Sequence, residues 1–231
     1  MTGIKPIAHI ESDFGTKFGI PRQAGLVEEL RAKIVFEPEF RNDEALRGIE
    51  GYSHIWLIWQ FSENADAEWS PTVRPPRLGG NVRMGVFATR SPFRPNFLGL
   101  SCVKLLGTEK TGEKGTALIV GGADLMDGTP IFDIKPYVPY SDCIPEAKEG
   151  FAARPESGLE VIFAGETEKK LPADKIRALR KVLACDPRPR YQDDPERIYG
   201  MEFAGADVRF MVKENTLTVT EIERFDDRQG N

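Results

Sequence analysis

The feature that most limits the fold is the proline- and glycine-rich stretch from Pro71 to Asn96. Pro71, Pro75 and Pro76 remove backbone donors and Gly79-Gly80 permits unusual backbone angles, so Pro71–Asn81 is neither helix nor central strand. Ser91-Pro92 and Arg94-Pro95 fix φ at each proline and push the preceding residue toward extended backbone, which leaves Arg90 and Arg94 few arrangements. Two stiff loops in succession need a scaffold, and apolar runs flank them. Ile55–Phe61 is apolar on both faces, as expected of a central strand covered on each side. Leu98–Leu106 and Thr116–Val120 read as two more strands around a turn at 111–115. Short strands at regular spacing point to a barrel or a sandwich.

The remaining segments agree with a mainly β chain. Ile4–Ile10 alternates as a first strand, and Phe14–Gln23 follows as a glycine-punctuated loop whose length favours a functional role. Arg31–Glu37 reads as a half-buried strand, and Asn42 or Asp43 caps a short helix through Leu46. On the strand after Asp127-Gly128, Asp133 and Lys135 share one face. They form either a surface ion pair or a polar cluster at a barrel mouth. After Pro145 the chain turns acidic and glycine-rich, and 152–158 reads as a linker. Beyond it a strand at Leu159–Phe163, a helix at Asp174–Ala184 and strands at Val208–Val212 and Leu217–Ile222 make a small α+β unit. The expected division is 1–150 and 151–231, the second unit being small enough to need packing against the first.

A net charge of −5 argues at first against a nucleic-acid partner, but the distribution argues for one. Between Trp69 and Thr108 there is no Asp or Glu, while Arg74, Arg77, Arg83, Arg90, Arg94 and Lys104 all fall inside. A cationic face on an acidic protein is the economical account. Three scattered cysteines, Cys102, Cys143 and Cys185, favour reduced thiols over a disulfide framework. No leader-like start and no apolar run of bilayer length are present, so a soluble, cytoplasmic protein is expected. Dinucleotide and P-loop glycine motifs, zinc-ligand arrays and a nucleophile elbow are all missing, and His9 and His54 alone supply no metal or triad set. Any catalysis must rest on arginines, carboxylates, amides and positioning, which suits transfer of an already activated group.

The run Val86-Phe87-Ala88-Thr89-Arg90-Ser91-Pro92-Phe93-Arg94-Pro95-Asn96 resembles the signature of the TsaA/TrmO family. Pro21-Arg22-Gln23, Gly48–Trp56, Pro71–Asn81 and Asp127-Gly128-Thr129-Pro130 with Asp133–Tyr137 are similar to further family blocks in the same order. Asp186-Pro187-Arg188-Pro189 resembles the C-terminal region of longer members. Glu11-Ser12-Asp13 and Phe97 depart from the family pattern. The resemblance implies a single-sheet β-barrel followed by a small α+β domain, a homodimer without metal, and S-adenosylmethionine-dependent methylation of N6 of threonylcarbamoyladenosine beside the anticodon of tRNA. Its cofactor site, carried over by position, comprises Pro21, Arg22, Gln23, Ser62, Glu63, Arg90, Leu100, Asp124, Leu125, Met126 and Asp127.

Chemistry then suggests roles for the rest. Asp133 is the expected base for the N6 proton, with Lys135 shaping its charge. Arg94 is expected to grip the threonyl carboxylate, with Asn96 and Tyr137 beside it, and Arg74, Arg77, Arg188 and Arg190 to meet phosphates. The competing class is a non-catalytic RNA-binding barrel using the same cationic face.

Overall fold

The computed structural model describes residues 3–64, 68–151, 158–188 and 194–226. Arg190 and most of the expected linker, 152–157, lie outside the described residues. The first part of the chain is built from β1 (Ala8–Glu11), β2 (Arg31–Phe36), β3 (His54–Gln60), β4 (Thr72–Val73), β5 (Met84–Gly85), β6 (Leu98–Lys110), β7 (Thr116–Gly121) and β8 (Pro130–Pro136), followed by the one-turn helix α1 (Pro139–Asp142). Six of these strands pair in the order β1-β2-β7-β6-β3-β8, and β1 bonds to β8 as well as to β2, so the sheet closes on itself without a free edge.

A closed sheet has a single inner face, and that corrects one expectation. In β3, Ile55, Leu57 and Trp59 are buried while His54, Trp56, Ile58 and Gln60 are half-exposed, so the strand is covered on one side only. Its outward apolar residues are left on the surface. The inner face gathers Ile10, Ile34, Leu118, Leu125 and Ile131 with those of β3. β6 extends past its expected end because Gly107, at φ 142°, absorbs a register shift against β7 and lets pairing continue to Lys110. The expected cap at Asn42 is present, its side chain accepting from Glu44 N ahead of a 3₁₀ turn.

The second part comprises β9 (Glu160–Phe163), α2 (Ala173–Ala184), β10 (Tyr199–Phe203), β11 (Ala206–Lys213) and β12 (Thr216–Arg224). The sheet order is β10-β11-β12-β9, with β9 parallel to β12. Ile176, Leu179, Val182 and Leu183 of α2 pack on it. β10 is an addition to the expected elements, although Tyr199, Met201 and Phe203 alternate inward as a strand requires. This second core also contains Phe14, Val27 and Leu30 from the long β1–β2 connection. Among the described residues no helix is long and apolar enough to cross a membrane. All three cysteines are free thiols.

Candidate active site

The signature loop leaves β5 and is folded by its own side chains. Val86–Ala88 makes a 3₁₀ turn with Val86 buried. The Thr89 hydroxyl donates to Val86 O at 2.9 Å and accepts from Ser91 N at 3.2 Å, and the Ser91 hydroxyl accepts from Phe93 N at 3.3 Å. Arg94 donates to Thr89 O at 2.7 Å and to Val86 O at 3.3 Å, with its guanidinium 5.9 Å from the Phe87 ring centre. Arg94 therefore braces the loop, and it also lines the cavity beside it. The reason is local: the two prolines of the turn cannot donate, and a guanidinium five residues on from Thr89 reaches its carbonyl. Arg90 points out of the loop and donates to the Gln23 side chain.

On one side of this loop lies a cavity of about 460 Å³. Pro21, Arg22, Gln23, Ser62, Glu63, Arg90, Leu100, Asp124, Leu125 and Met126 all line it, so ten of the eleven positions carried over as cofactor residues share one space. Asp127 does not line it; its carboxylate accepts from Ser12 N at 2.8 Å and its own N–H donates to Phe14 O, pinning the end of β1. Lys17 and Glu63 pair across the lining at 3.5 Å.

Several contributors to this cavity carry little sequence signal. Trp59 Nε1 donates to the Ser101 hydroxyl at 3.0 Å, and that hydroxyl donates to Asp124 Oδ1 at 2.6 Å. Burial pushes the Asp124 carboxyl up from its ordinary range, opposed by the Ser101 hydrogen bond and by the charge of Arg90. Gly99 is required here, because a Cβ would strike the Trp59 indole. A buried serine on an apolar strand is the one cue that could have flagged this relay.

On the other side lies a larger cavity of about 900 Å³. Arg22, Arg74, Arg83, Arg90 and Arg188 line it, and among the described residues no carboxylate does. Arg83, which sequence reasoning left without a role, donates to Thr72 Oγ1 at 3.0 Å. Arg188 is tied within its own loop. Its Nε and Nη2 bond both oxygens of Asp186 at 2.9 and 3.0 Å, its side chain is only 11% exposed, and its carbonyl accepts from Arg22. The bidentate pair fixes this guanidinium in the wall of the second cavity. For Arg77 only the backbone, in a 3₁₀ turn, is described.

The two cavities share Arg22, Gln23, Thr89, Arg90 and Pro92. The structure does not bring Asp133, Lys135 or Tyr137 to either one. Asp133 and Lys135 pair with each other at 3.0 Å on the outer face of β8, 46% and 63% exposed, which is the surface ion pair of the two alternatives. Tyr137 packs against Trp56 and His54, with ring centres 5.8 and 6.2 Å away. Asn96 is exposed and lines neither cavity, because Phe97 at φ 51° turns the chain toward β6.

Comparison with known proteins decides the family. Residues 9–143 match the tRNA-methyltransferase O N-terminal domain and residues 156–225 the TrmO C-terminal domain. The chain belongs to the TrmO family. Among relatives of TrmO type, the Escherichia coli K12 tRNA (adenine(37)-N6)-methyltransferase is 40% identical over 227 residues, covering 94% of this chain and 96% of that protein. An Eikenella corrodens protein of the same name is 52% identical over 163 residues, covering 70% of this chain and 92% of its own. A crystal structure of TrmO from Pseudomonas aeruginosa superposes with a TM-score of 0.78 at 33% identity, over 96% of this chain and 98% of that one. The TrmO likeness thus spans both parts of the molecule, including the signature loop between the cavities.

Proposed function

We propose that this protein is an S-adenosylmethionine-dependent methyltransferase that modifies N6 of threonylcarbamoyladenosine beside the anticodon of tRNA. One observation carries the reading: two cavities of different chemistry, one with a partly buried carboxylate and one walled by arginines, meet across Thr89, Arg90 and Pro92. Family membership and relatives named tRNA (adenine(37)-N6)-methyltransferase or S-adenosylmethionine-dependent methyltransferase favour catalysis over a non-catalytic RNA-binding module.

The residues of the first cavity fit the cofactor. A lining that mixes apolar side chains with the carboxylates of Asp124 and Glu63 and with Arg22, Arg90 and Arg94 suits a partly apolar molecule that carries both positive and negative groups. S-adenosylmethionine, when bound, supplies a methyl group already activated on a sulfonium. The chain's own task is then placement. Asp124, held by Ser101 and through it by Trp59, presents negative charge to the cationic cofactor. Gln23 holds Arg90 at the shared wall, so the guanidinium faces both cavities with little freedom. Arg74 and Arg83 offer the second cavity's cationic groups to the threonyl carboxylate and to neighbouring phosphates.

The closed six-stranded sheet is, in this reading, the β-barrel of a cytoplasmic homodimer, with residues 1–150 catalytic and 151–231 near the tRNA. Leu100 borders the first cavity and lies opposite Ile58, which in turn lies opposite Asp133 on the outer face. Leu100, Tyr140 and Ile144, 50%, 93% and 62% exposed, make this face apolar enough to be covered by a second copy. Asp133 of one copy would then act as the base at the cavity of the other, with Lys135 beside it. Calorimetry with S-adenosylmethionine tests the reading: one site per chain supports it, and no heat of binding returns the chain to the RNA-binding module.

A further inference from the structure

The 13–30 connection between β1 and β2 belongs to two places at once. Its centre, Ile20–Gln23, lines the first cavity, and Arg22 and Gln23 also line the second. Its flanks are held by the C-terminal part. The Asp13 carboxylate takes both its oxygens to Lys175 Nζ at 2.7 Å, with the side chains only 12% and 28% exposed, and Asp13 O accepts from Ala204 N at 2.8 Å. Phe14 meets Phe203 edge-on at 5.5 Å, and Phe18 stacks on Phe210 at 6.5 Å. Gly15 and Gly19 lie so close to Glu202 and Met201 that a Cβ at either would collide. Past the bend, Val27 and Leu30 are buried in the same core. On the closed-sheet side Gly25 N bonds Gly122 O at 2.9 Å, so the segment is clamped between the two parts with the cavity-lining residues in the middle.

We propose that the C-terminal part is a component of the methyl-donor site, acting through this segment, with Lys175 and Phe203 as positioning residues. The cost of ordering a 13–30 connection would otherwise fall on ligand binding, since each residue that becomes fixed loses backbone entropy. Here the second core carries that cost before the cofactor arrives. The same clamp makes the C-terminal part a route by which tRNA contact there changes donor affinity, because any shift of α2 or β10 moves the anchors of Arg22 and Gln23. This inference rests on the first cavity being the donor site.

The test is made on the full chain. Lys175→Gln and Phe18→Leu should each weaken S-adenosylmethionine binding in calorimetry at least roughly fivefold, the lower end for coupled sites. In the cofactor-free protein, amide exchange across 16–24 should quicken while the closed sheet keeps its protection. Lys175→Arg should restore affinity to near the parent. Arg209→Gln, which breaks exposed ion pairs to Asp207 and Glu221 on the same C-terminal sheet, should leave affinity unchanged. The proposal is overturned if Lys175→Gln and Phe18→Leu bind the cofactor as the parent does, if Arg209→Gln weakens binding equally, or if Lys175→Arg fails to rescue. A parent that binds no cofactor at all overturns instead the assignment of the cavity.

Discussion

Asp124→Asn separates function from folding more cleanly than other changes at this site. Asparagine keeps the shape and the oxygen that accepts from Ser101 at 2.6 Å, so the relay from Trp59 survives. What is lost is one negative charge. Because burial raises the Asp124 pKa, the folded state holds its proton more tightly than the unfolded state does. That contribution to stability is present below the unfolded pKa and disappears as pH rises through the folded one. Above the folded pKa the carboxylate is therefore a burden on the fold, and there Asp124→Asn should leave the melting temperature equal to the parent's or higher. Cofactor affinity should move the other way. Loss of one contact to a charged group costs about 1.5–3 kcal/mol, which is roughly a 10- to 150-fold rise in Kd. In the parent, affinity should fall as pH drops through the raised Asp124 pKa, and in Asp124→Asn this dependence should be absent. Calorimetry and thermal melts on the same samples across pH make the measurement. Equal affinity in parent and variant, or affinity and melting temperature falling together, would refute the reasoning.

Other changes probe the remaining roles. Arg94→Ala should lower stability by about 1–3 kcal/mol through loss of the donor to the Thr89 carbonyl, read as a lower midpoint in urea, whereas an Arg94 engaged only by substrate would leave stability intact. Arg74→Ala and Arg83→Ala should weaken tRNA binding and each reduce the salt slope by about one, measured by filter binding over a salt series. Asp133→Asn should lower turnover with cofactor affinity nearly intact. Heterodimers of Asp133→Asn with Arg90→Ala should turn over faster than either variant alone, since one intact cavity and one intact base then face each other.

Much of this was legible in the chain because local chemistry dictated it. The prolines and glycines of 71–96 left room for only the two-residue strands β4 and β5 and 3₁₀ turns, and the alternation over the first four residues of β2 needed no tertiary information. What escaped was set by long-range packing. Ile55–Phe61 reads as apolar throughout, and only closure of the sheet shows which alternate residues face out. Arg94 and Arg188 look in sequence like available cations, and their partners, two carbonyls and Asp186, become apparent only once the loops are folded. Asp133 and Lys135 share a face as expected, but Ile131 two residues earlier is buried, and only the register shift against β3 between Ile58 and Trp59 turns their face outward. The 13–30 connection is long for a simple link, yet nothing in its own composition says that its anchors lie near residues 175 and 203.

The central claim is that the two cavities transfer a methyl group to a modified adenosine. Nucleoside mass spectrometry tests it, on tRNA incubated with the protein and S-adenosylmethionine, in parallel with and without the threonylcarbamoyl group. The account predicts one added methyl on threonylcarbamoyladenosine and little on plain adenosine, because the arginine-walled cavity is left unpaired without the carboxylate. Equal methylation of both tRNAs, or of neither, would contradict it.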